Sequence, residues 1–64
     1  MTTLKVKNAI NGAISSLDDL LIDLKLANSN AAESEPLASI ILLDLIEQAV
    51  KIENKLVQIQ KSIQ

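Results

Sequence analysis

The sequence predicts an all-α fold, an antiparallel helical hairpin (helix-turn-helix) able to assemble into a multi-helix bundle. Apolar residues recur at steps of three and four along both halves of the chain. One polar cluster ending in Pro36 separates the halves. Neither half keeps the period-two alternation of a strand. With 64 residues the chain is a single domain at most: a helix over about 4–27, a loop over about 28–34 and a helix over about 36–63.

In the first helix, the hydroxyl of Thr2 or Thr3 can cap the start by accepting from an otherwise unpaired amide. Val6, Ile10, Ala13, Ile14, Leu17, Leu20, Leu21, Leu24 and Ala27 fall on one face of the 3.6-residue period. Asn11, Ser15, Asp18, Asp19 and Asp23 fall opposite. Gly12 projects near the edge of the apolar face, either as a point of close approach or as a weak spot costing about 1 kcal/mol against Ala. The run from Asn28 to Ser34 is rich in residues that compete for backbone hydrogen bonds and favour turns. Pro36 fits only the first turn of a helix, which makes Ser34 or Glu35 the expected cap. In the second helix, Ala38, Leu42, Leu45, Ala49, Ile52, Leu56, Ile59 and Ile63 form an unbroken heptad seam. Each helix spans about 35–40 Å at 1.5 Å per residue, and the short connection makes the two antiparallel neighbours.

This seam does not exhaust the apolar residues. The composition is 48% hydrophobic with no aromatic residue, and there is no Cys or His. Disulfides and the usual zinc site are therefore excluded as reinforcement. Ile46, Val50 and Val57 widen the face of the second helix, and Leu37, Ile40, Ile41 and Leu43 nearly ring its first two turns. In the first helix Leu4, Ile22 and Leu26 project away from the main stripe. A partner surface is expected to cover part of this excess, and Ile22, Leu26, Leu37, Ile41, Leu45 and Ile52 are the candidate contact residues. The partner is either a second copy or a different protein. Glu53 and Gln60 project onto the apolar side of the second helix, either at a wet rim or as polar positions that fix the register of a neighbouring helix. Glu47 and Lys51 are spaced for a weak ion pair.

Acidic side chains gather around the loop and Lys residues at the two ends, so a hairpin has an acidic tip and a basic end able to orient a partner. Catalysis is not expected. The common proton shuttle and thiol nucleophile are missing, Gly12 is the only glycine, and no cluster of acidic ligands suits a metal. No cofactor is implied. No stretch approaches the roughly 20 apolar residues of a membrane span, and no signal peptide is visible, which points to the cytoplasm. The alternative to binding a different protein is a homodimeric four-helix bundle with a structural or regulatory role. Such bundles can bind structured RNA, but the net charge of −2 and the absence of Arg disfavour nucleic acid here.

The sequence resembles the small needle-subunit co-chaperones of bacterial type III secretion systems. The resemblance is carried by the opening Met1-Thr2-Thr3-Leu4 and by Leu42-Leu43-Asp44-Leu45-Ile46-Glu47-Gln48-Ala49, followed by Ile52 and Asn54. The length and two-helix layout fit as well. Members often carry aromatics late in the second helix, where this chain has Val57, Ile59 and Ile63. The resemblance implies a cytoplasmic chaperone role. The chain would pack against a larger helical-repeat chaperone, and the two would hold a needle subunit as a monomer until export. Covering apolar surface at a terminal repeat suits what such arrays need.

Overall fold

A computed structural model describes residues 2–63, with the side chain of Thr2 left out. It shows a small all-α protein: α1 (Thr2–Ser34) and α2 (Pro36–Ser62) form a helical hairpin, with no strand among the described residues. The particle measures 50 × 15 × 11 Å, two rods lying side by side in a single layer.

The break is far shorter than residues 28–34. α1 runs on through Ser34, and Glu35 alone leaves the helical conformation, at φ −137° and ψ 72°. Thr3 is already helical and the expected loop is the last two turns of α1. Two effects overcome the turn preference of the Asn and Ser residues there. Backbone bonding continues through the junction, with Glu35 N donating to Ala31 O at 2.8 Å and Ser39 N to Glu35 O at 3.0 Å. Across the hairpin, Ser39 Oγ donates to Asn28 Oδ1 at 2.7 Å, so the Asn28 side chain has no need of its own backbone. Pro36 sets the site of the break, because its ring disfavours helical geometry in the residue before it. Glu35 occupies the cap position without a side-chain hydrogen bond. The longer α1, 33 residues at 1.5 Å each, accounts for the 50 Å extent.

The two helices meet along Leu21, 8% exposed, and Ala49, 5% exposed, the buried hydrophobic residues of the described chain. Ile10, Ile14, Leu17, Leu24 and Asn28 continue the inward face of α1, each half-buried. On α2 the inward face is Ser39, Leu42, Ile46, Ala49, Glu53, Leu56, Gln60 and Ile63. This differs from the expected seam. Leu42, Ala49, Leu56 and Ile63 are common to both, one every seven residues. The positions between them are Ile46, Glu53 and Gln60 rather than Leu45, Ile52 and Ile59, and Ser39 rather than Ala38. The helix is turned so that its more polar alternate positions face α1 and its apolar ones face out.

Gly12 lies on the exposed side of α1, and a Cβ built there would meet nothing within 4 Å. It is no point of close approach.

Candidate protein-binding face

The rotation of α2 gives the hairpin two unlike flanks. Along one runs a polar ladder. Gln60 Nε2 donates to Asn11 Oδ1 at 2.6 Å. Seven residues on along α1 and seven back along α2, Asp18 and Glu53 meet. The ladder shows why Glu53 and Gln60 sit inside the seam. Each finds a polar counterpart on α1 at the same level.

Glu53 Oε2 is shielded from water with no donor to bond it. The Asp18 carboxyl beside it favours a shared proton and raises the Glu53 pKa above the ordinary glutamate value. Desolvation and the negative charge of Asp18 act the same way, while the charge of Lys25 opposes them. A proton on Glu53 would supply a donor toward Asp18.

The other flank is apolar. Leu17, Leu20 and Leu24 of α1 and Leu45, Ala49 and Ile52 of α2 line an open groove of ≈ 260 Å³, with Gln48 as the one polar lining residue. The Gln48 amide is turned along the helix, donating to Asp44 Oδ2 at 2.6 Å. The remaining lining side chains are apolar.

The expected contact residues divide between the flanks. Leu45 and Ile52 line the groove. Ile41 precedes Leu45 by four residues and Leu37 precedes Ile41 by four, so all four share one side of α2. They are 77% (Leu37), 61% (Ile41), 41% (Leu45) and 52% (Ile52) exposed. Ile22 and Leu26 are also well exposed. Ile22, however, lies about 100° round α1 from Leu21 in the opposite sense to the groove residue Leu20. Leu26, one turn on, shares that flank. Leu17, Leu20 and Leu24, which periodicity assigns to the hairpin's own core, supply the α1 wall of the groove.

Leu4, Val6, Ile40, Leu43, Val50 and Ile59 are further exposed large apolar residues. Accessible surface totals 4841 Å². A compact monomer of 6.9 kDa is expected to show about 4,000 Å². The difference reflects a one-layer structure.

The Glu47–Lys51 pair forms at 3.4 Å, with both side chains about two-thirds exposed, where it contributes little. Among the described residues no group of three or more potential ligands is placed to hold a metal, and no helix is long and apolar enough to cross a membrane. Comparison with protein-family models, curated proteins and solved structures gives no match to this chain.

Proposed function

We propose that this chain is a protein-binding hairpin without catalysis of its own, which covers apolar surface on a larger helical partner and has its own apolar flank covered in return. The observation that carries the reading is the groove between Leu20, Leu24, Leu45 and Ile52, an open channel with Gln48 as its one polar lining residue. Burying one Leu or Ile contributes roughly 1.5–3 kcal/mol, so a helix laid along Leu37, Ile41, Leu45 and Ile52 gains several such contributions. The resemblance to type III secretion co-chaperones names the partner class. It is a cytoplasmic helical-repeat chaperone, with which the chain keeps a needle subunit monomeric.

Co-expression with a tagged repeat chaperone and the needle subunit tests this. The wild-type chain is expected to co-purify with them, and Ile41→Asp to lose co-purification while keeping its helical circular dichroism. Ile22→Asp, on the polar flank, is expected to co-purify. Undiminished co-purification of Ile41→Asp would contradict the proposed face. Leu45→Asp is the stronger disruption and is expected to abolish complex formation or folding.

A further inference from the structure

We propose that, in the absence of a heterologous partner, a second copy of this chain covers the groove. The copies pack antiparallel, α1 on α1 and α2 on α2, about a twofold axis at Leu20, making a four-helix bundle. The inference rests on the groove being a binding face and deepens that reading by naming its occupant.

Area is the first argument. The surface in excess of a compact monomer is about 800 Å², and a standard stable interface covers about 800 Å² on each partner. One twin would bring the accessible surface per chain to that of a compact fold.

Spacing along α1 is the second. On the groove flank, Ala13 and Ala27 stand seven residues either side of Leu20, and Ala9 and Ala31 eleven either side. A twofold axis there sets Ala13 of one chain against Ala27 of the other, and Ala9 against Ala31. Small side chains at both levels let the two α1 backbones approach closely, with Leu20 meeting itself in the middle. Asn11 pairs with Gln60 and Asp18 with Glu53, so the residue of α2 level with Leu20 is Lys51.

Charge is the third and decides the orientation. Antiparallel packing puts Lys5 level with Glu35 of the second copy, and Lys55 level with Glu47 of the second copy. Each basic end then meets an acidic tip. Parallel packing would lay Lys beside Lys and Asp beside Asp, so antiparallel association is favoured.

Sedimentation equilibrium of the purified chain, with circular dichroism at the same concentrations, is the test. The expected mass is twice 6.9 kDa at low micromolar concentration. Leu20→Asp and Ile52→Asp are expected to shift it toward the monomer, whereas Ile22→Asp is expected to leave it dimeric. The chain has no native cysteine, so crosslinking reads the orientation. Oxidised Leu20→Cys is expected to form a covalent dimer. Ala13→Cys is expected to crosslink to Ala27→Cys in a mixture, and not to itself. A helical wild-type chain that stays monomeric up to near-millimolar concentration would overturn the proposal, as would self-crosslinking of Ala13→Cys. A monomer that still loses a repeat chaperone on Ile41→Asp would refute the twin and leave the binding face standing, so the two readings fail separately.

Discussion

Glu53 is the residue at which the hairpin trades stability for register. A carboxylate in a thin apolar seam is costly, and here it faces a second carboxylate, Asp18. The raised pKa means that the folded chain holds more protons than the unfolded one between the ordinary glutamate pKa, near ~4.3, and the raised folded value. The stabilising share of the protonated form is thus complete below that ordinary value and is lost as pH rises through the folded one. Glu53→Gln keeps a donor toward Asp18 at every pH. Compared by urea unfolding, the variant is expected to gain on the wild-type chain as pH rises through this window, and an unchanged difference would contradict the Asp18 pairing. Sequence projection places Glu53 and Gln60 on the apolar side of α2 but cannot choose between rim and register, because that depends on whether Asp18 and Asn11 lie opposite. Gly12 is simpler. With nothing near its would-be Cβ and exposed surroundings, Gly12→Ala is expected to stabilise the chain by about 1 kcal/mol through helix propensity alone. Thermal unfolding reads this, and a loss of stability would mean that the position is covered.

The helices themselves were legible because their cause is local. Steps of three and four, a lone Pro and the absence of period-two runs are properties of neighbouring residues. The end of α1 was not legible, because Asn28-Ser29-Asn30 carries the local preferences of a turn. What overrides them is a bond from Ser39, eleven residues away. The phase of α2 has the same character. Leu42, Ala49, Leu56 and Ile63 satisfy two alternative seams equally, and in the fold α2 takes the one with Ile46, Glu53 and Gln60, with Gln60 bonded to Asn11 across the pair. The candidate site inherits this split. The exposure of Leu37, Ile41, Leu45 and Ile52 could be argued from the width of the apolar face. The displacement of Ile22 and Leu26 to the other flank, and the role of Leu20 in the groove, need the helix pairing. At the junction, a single non-helical residue before Pro36 divides what would otherwise be continuous helix. Pro36→Ala removes the steric bar to a helical Glu35 and restores an amide donor there. The variant is expected to populate an extended form with a radius of gyration well above 14.8 Å in small-angle scattering. An unchanged radius would show that packing of α1 on α2 sets the turn without help from Pro36.

For the whole molecule, one layer of contact between two rods has to offset the conformational entropy of 64 residues. Among the described residues two hydrophobic side chains are buried, while Leu, Ile and Val stand exposed on both helices. On the proposed reading a covering surface on the groove flank, a twin or a chaperone, adds the further burial. On that reading the apolar groove recruits the surface that stabilises the helix pair. Stability that depends on association must depend on concentration. The most direct measurement is the melting temperature of the purified chain from low micromolar to near-millimolar concentration. The melting temperature is expected to rise steadily with concentration. A high melting temperature that does not move over this range would show a hairpin sufficient in itself, and would contradict the account.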